Sequence, residues 1–350
     1  MSIDPVLVEV LRGGTVESFH RGALAIVDAD GAVHTAIGDV DRPIFPRSAV
    51  KVLQALPLVA SGAAERWGLT DEELALACAS HNGEPAHATT SASMLAKAGV
   101  DVAALECGAH WPYLDTAVRE MAAAGQVPSA LHNNCSGKHA GFVCLGCMMA
   151  EGGDRRAFLS GYVKPDHPVM REVTAALEAA TGASLANAPR GTDGCSIPTY
   201  GIPLRRLALA FARVATGTGL ADGHARAAKR LREAVAKAPF MVAGTGRFDT
   251  RVMERLGERV FCKVGAEGVF CAALPELGLG VAIKMDDGNT ARACESVMAA
   301  VIAALVRMDD GERAFVRGLA DAPMRNWNGI EVGRIRAADT LGAQLRSCRP

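Results

Sequence analysis

The 350-residue chain lacks an excess of charge of either sign: 37 Lys and Arg stand against 38 Asp and Glu, for a formal net charge of −1. Binding to a polyanion leans on a basic excess, so a general nucleic-acid role is excluded. No apolar run approaches the roughly 18 residues a spanning helix needs, which argues against a membrane partner. The opening string "MSIDPVLVEVLRGG" carries Asp4 and Glu9 where a secretory signal would carry Lys or Arg. A cytoplasmic location is therefore expected. Repeats, low-complexity tracts and long linkers are missing. So is the H-x-E with P-C-x-x-C of a zinc base deaminase. The glycine-rich string "GTGRFDT" around Arg247 lacks the strand-turn-helix setting of a phosphate loop.

What is present is a chain 49% hydrophobic and 21% charged, long enough for a large core in one domain of two lobes. Near the start, two alternating runs flank Asp30-Gly31, and a similar pair flanks Gly13-Gly14, as in β-hairpins. The string "RVFCKVGAEGVFCAALPELGLGVAIKM" predicts three more strands. Residues 168–181, 204–216 and 223–237 have helical period, and another helix is expected after Asn289. The order predicts an α/β fold of the α+β type: an antiparallel sheet from both chain ends around a helical middle lobe. The approximate lobes are 5–45 with 255–335, and 46–254.

Ten cysteines are present. Most, including Cys144 and Cys147, lie in apolar stretches and read as core thiols. Cys135 and Cys195 differ, since both fall in turn sequence: "LHNNCSGKHAGF" and "GTDGCSIP". Two thiols in turns, one followed by Lys138 and His139, could converge on a metal, with zinc the natural choice. On spacing alone His139 is the expected third ligand and Lys138 an unusual one. His81, His87, His110 and His167 lie near Pro or Gly and are expected to be satisfied turn or core histidines.

"FPRSAVK" contains Ser48-x-x-Lys51, placed by Pro46 and by Ala49, Val52, Leu53 and Leu56 in the first turn of a buried helix. A serine hydroxyl needs a base, and a buried lysine can be one; the free N–H groups of the helix start favour a developing oxyanion. "LALACAS" alternates as a strand and leads into Ser80-His81-Asn82. Lys263-Val264-Gly265 ends a later strand. Ser-x-x-Lys, Ser-x-Asn and Lys-x-Gly in this order form the three-part set of penicillin-recognising serine enzymes. The spacing departs from that set: Ser48 and Ser80 are too close for a helical domain between them. Another amidase, peptidase or esterase of this type is the alternative reading.

These strings, with "ALACASHNGEPAH", "DGCSIPTY", "GTGRFDT" and "KVGAEGVF", resemble the rhizobial-type (class 3) L-asparaginase family over roughly residues 5–335. The resemblance implies a serine β-lactamase-like fold, a homodimer, and hydrolysis of L-asparagine to L-aspartate and ammonia. It implies two Ser-Lys pairs, Ser48 with Lys51 and Ser80 with Lys263, and a zinc held by Cys135, Lys138 and Cys195. Asp193, Arg47 and Asn82 are then expected at the substrate. Zinc has no evident step in the amide chemistry and is not expected to be the direct catalyst.

Overall fold

The computed structural model describes residues 3–346. The chain divides into two compact units: one holds the chain up to Ala49, Ile202–Ala215 and the chain from Cys262; the other holds Val50–Gly201 and Thr216–Phe261.

The first unit is built on an eight-stranded sheet. Its strands are β1 (Val6–Arg12), β2 (Thr15–Asp28), β3 (Val33–Ile37), β4 (Phe261–Val264), β5 (Val269–Leu274), β6 (Leu279–Met285), β7 (Asp321–Arg325) and β8 (Glu331–Ala337). They run in the order β7-β8-β1-β2-β6-β5-β4, with β3 also paired to β2. Both ends of the chain therefore contribute to one sheet, as the element order predicts. Strand β2 is the hub: Thr15–Arg21 pair antiparallel with β1, and Gly22–Asp28 with β6. The β1–β2 and β2–β3 turns use Gly13 and Gly31, both at positive φ, so the hairpins form where the double-glycine and Asp-Gly signals stand. Pro43–Ile44 pair with Ile202–Pro203, which ties the segment leading to Ser48 into this unit.

Helix Leu204–Thr216 packs on β6 at Gly280. A Cβ there would lie 1.9 Å from the Ala208 carbonyl oxygen and 2.3 Å from the Ala212 nitrogen, so helix and strand backbones meet at a position only glycine fits. Gly280→Ala should cost about 1–3 kcal/mol, because the obstacle is backbone and cannot swing aside. Thermal unfolding should show a Tm several degrees lower; an unchanged Tm would mean the helix is free to lift away.

The second unit is helical: α1 (Lys51–Ala60), α2 (Asp71–Ala77), α3 (Pro85–Lys97), α4 (Ser136–Met149), α5 (Pro168–Thr181), α6 (Asp222–Lys237) and α7 (Phe248–Leu256) are its main members. Helix α1 is buried from Lys51 to Val59 and packs against α4, α5 and α6. Helices at 168–181, 204–216 and 222–237 match their apolar periodicity. The strand expected in "LALACAS" is instead helix α2. Thr70 and Glu73 form a capping box at its start, with Asp71, Glu72 and Glu73 in the first turn. Residues 73–77 are buried on every side, so their alternation carries no strand signal. No helix among the described residues is long and apolar enough to cross a membrane.

Candidate active site

Lysine is the residue least suited to a protein interior. Three lysines are nevertheless buried, Lys51, Lys138 and Lys263, and they are the three that the motifs single out.

In the sheet-bearing unit, Arg47–Val50 form a 3-10 turn that runs directly into α1, so Ser48 stands one turn before Lys51. Arg47 has φ +50, a left-handed conformation that costs a non-glycine residue about 1–3 kcal/mol. The strain lies in the residue next to the candidate nucleophile. Lys263 is on β4, at one edge of the sheet, and its Nζ donates to the Val264 carbonyl at 2.8 Å. Gly265 follows, and a Cβ on it would lie 2.7 Å from the Pro46 carbonyl oxygen and 3.3 Å from Ala49 Cβ. The glycine of the Lys-Val-Gly element thus lets the strand end close against the Ser48 turn.

In the helical unit, Lys51 Nζ donates to the Ala79 carbonyl at 2.5 Å and to the Asn134 carbonyl at 3.3 Å. Burial pushes its pKa below the ordinary lysine value, with the Lys138 ammonium acting in the same direction and the two cysteines opposing. One side chain therefore touches both the segment entering Ser80 and the segment entering Cys135. Residues 80–82 follow α2 outside any helix or strand, held by Ser80 N–H to the Val242 carbonyl at 2.8 Å and Asn82 N–H to the Ala243 carbonyl at 2.9 Å.

His81, His87, His110 and His167 all have hydrogen-bond partners, as expected of core and turn residues. His81 accepts the Gly83 N–H at Nδ1, so its Nε2–H donates to Ser136 Oγ at 3.0 Å. Burial holds it well below the usual histidine value, and it is neutral. His87 stacks on it with ring centres 4.7 Å apart, and His167 caps α5.

Cys135 is the N-cap of α4, where free N–H groups favour a thiolate. The Cys195 thiol donates to it, which lowers the Cys135 pKa well below its ordinary value and raises that of Cys195. Lys138 Nζ donates to Cys195 Sγ at 3.0 Å. Burial disfavours the Lys138 ammonium, but the two sulfurs outweigh it and raise the pKa. Cys195 projects inward from a tight turn in which Asp193 N–H bonds the Ile197 carbonyl at 2.8 Å and Ser196 has φ +77. Asp193 is half-buried.

His139 points elsewhere. Its Nδ1 meets the Tyr162 hydroxyl at 2.6 Å, and that hydroxyl accepts the Glu106 N–H at 3.0 Å. Among the described residues no three His, Cys, Asp or Glu side chains gather as a metal site, so His139 does not complete one with the cysteines. The expectation drawn from spacing fails because i+4 from Cys135 carries the ring toward Tyr162. Lys138 is the nitrogen donor beside Cys195. Cys144 and Cys147 are buried within α4, as core thiols.

One connection is not legible in the motifs. Glu84 accepts the Thr245 N–H at 2.8 Å and the Thr245 hydroxyl at 2.6 Å, which fixes "GTGRFDT" to the segment after Ser80. Gly244, at φ +103, makes this possible: a Cβ would lie 2.3 Å from Glu84 Oε1. The Gly-Thr-Gly flanking Arg247 was the available signal, since it marks a close backbone approach and not only a phosphate loop.

Three solved structures of a protein named Mglu, in its tris and glutamate form, its native form and its glutamate form, are similar to 83%, 78% and 83% of this chain. Identities are 15%, 18% and 15%, with TM-scores of 0.33, 0.32 and 0.33. The chain spans 60%, 62% and 62% of the length of those structures. No curated protein matches. A family model described as L-asparaginase II matches residues 8–337, and the chain belongs to that family.

Proposed function

We propose that this chain is an amidohydrolase that converts L-asparagine to L-aspartate and ammonia by Ser-Lys catalysis. The observation that carries the reading is the set of three buried lysines, each in one of the motifs. A buried ammonium is costly, and proton transfer by Lys51 and Lys263, with Lys138 as a metal donor, accounts for the set.

In this reading Lys51 takes the Ser48 proton as Oγ attacks the side-chain amide carbon. The tetrahedral adduct collapses when the nitrogen receives a proton and leaves as ammonia, and water hydrolyses the resulting ester. Ser80 and Lys263 form the second pair and relay the proton, while N–H groups of the turn before α1 favour the oxyanion. Arg47, Asn82 and Asp193 face the substrate, Asp193 toward its α-ammonium. The family resemblance adds a homodimer of the chain.

The donors Cys135, Cys195 and Lys138 suit a zinc ion: two contacting sulfurs and an amine nitrogen, all buried, with one sulfur already favouring the thiolate form. Zinc bound there would supply a fixed positive charge that orients an amino-acid ligand.

Ammonia release from L-asparagine and L-glutamine, measured beside hydrolysis of a nitrocefin-like chromogenic substrate, tests the function. L-Asparagine should be turned over fastest. Turnover of the chromogenic substrate alone would replace the proposal with a penicillin-recognising hydrolase.

A further inference from the structure

We propose that Arg247 binds the α-carboxylate of the amino-acid substrate, and that Asn82 aims it. The inference rests on the amidohydrolase reading and names the feature that would restrict it to amides bearing a free carboxylate. In the helical unit the cations bonded to the segments around Ser80 and the cysteines differ sharply in availability. Lys51 is enclosed by two carbonyls and Lys138 by cysteine sulfur. Arg247 is half-buried, and Asn82 Oδ1, at 3.2 Å from Nη1, is its one side-chain partner among the described residues. Glu84 is the adjacent carboxylate, but its oxygens are taken by the Thr245 N–H, the Thr245 hydroxyl and the Asn82 amide. Arg247 thus keeps its charge and most of its five donors uncommitted.

The guanidinium is also held in place. Arg247 occupies the N-cap of α7, on the loop that Glu84 fastens, and the Gly244 N–H donates to Thr250 Oγ1 at 3.1 Å. Asn82 is fixed by its own N–H to Ala243 and by Nδ2 to the Thr245 carbonyl at 3.1 Å. Its carbonyl accepts the Tyr113 N–H at 2.8 Å. Burial raises the pKa of the Tyr113 phenol, and both Cys135 and Arg247 lie within electrostatic reach of it. A planar fork held at one nitrogen presents its remaining edge to a carboxylate in bidentate fashion.

The test compares L-asparagine with β-alaninamide, which keeps the amide and amine and lacks the carboxylate. Arg247→Met should raise KM for L-asparagine about 10-fold or more while kcat stays within about threefold, and Arg247→Lys should recover part of the loss. For β-alaninamide, kcat/KM should be unchanged by either variant. Equal losses on both substrates would make Arg247 a structural cap of α7, and an unchanged KM would place the carboxylate elsewhere; either overturns the proposal. Calorimetric titration of L-aspartate against β-alanine gives a readout independent of turnover. If the wild type released no ammonia, the amidohydrolase reading would fail. Arg247 would still be judged by whether Arg247→Met removes the preference for aspartate, and absence of any such preference in the wild type would overturn it.

Discussion

Ser48→Ala should reduce kcat for amide hydrolysis by roughly 10³-fold or more, about 4 kcal/mol of barrier, with the fold intact. Ser48 is half-buried in a short turn and is not part of either core, so removing one oxygen leaves the packing of α1 unchanged. The loss should appear in kcat and kcat/KM alike, because the bond Oγ forms exists only from the transition state onward. Lys51→Met should lose a similar amount, and the double variant little more, since nucleophile and base act as one unit. Circular dichroism and size-exclusion chromatography check the fold. Retention of more than about a tenth of kcat by Ser48→Ala would remove it as nucleophile, and Ser80→Ala would then be the variant to lose activity.

The sheet was legible because its signals are local. Asp-Gly at 30–31 and Gly-Gly at 13–14 specify turns from within the turns themselves, and the three later strands carry glycine between them. Helix α2 was misread for a physical reason. When Leu74, Ala75, Leu76 and Ala77 are all buried, the sequence has no polar face to reveal a period. The Thr70–Glu73 capping box was the signal that outranked the alternation.

The spacing within the Ser48–Lys51 string was legible for the same local reason: the two are three residues apart, and the short turn of 47–50 runs straight into the helix that begins at Lys51. What the sequence could not show is anything set by long-range closure. Cys135 and Cys195 meet from sixty positions apart, and Glu84 grips Thr245 from 161 positions away. Whether Lys138 or His139 turns toward Cys195 depends on where Tyr162 stands, and Tyr162 lies outside every motif. The left-handed Arg47 and the Gly265 contact with Pro46 are likewise consequences of a strand end pressing on a turn.

That choice between neighbouring residues of α4 gives the second large effect. Protein purified without added chelator should contain about one zinc per chain, and Cys135→Ala should lose it, since one of two sulfur donors is gone. Lys138→Ala should weaken metal retention about 10-fold or more, whereas His139→Ala should leave metal content unchanged, its ring being bonded to Tyr162 instead. Metal analysis of the four proteins reads this directly. If His139→Ala lost the metal while Lys138→Ala kept it, the donor assignment would be reversed. Removing zinc from the wild type should lower Tm, because a ligand that binds only the folded chain stabilises it by mass action. It should raise KM more than it lowers kcat, as in the proposed reaction the Ser-Lys pairs supply nucleophile and proton transfer without it. Complete loss of kcat on chelation, reversed by added zinc, would instead give the metal a direct part in the chemical step.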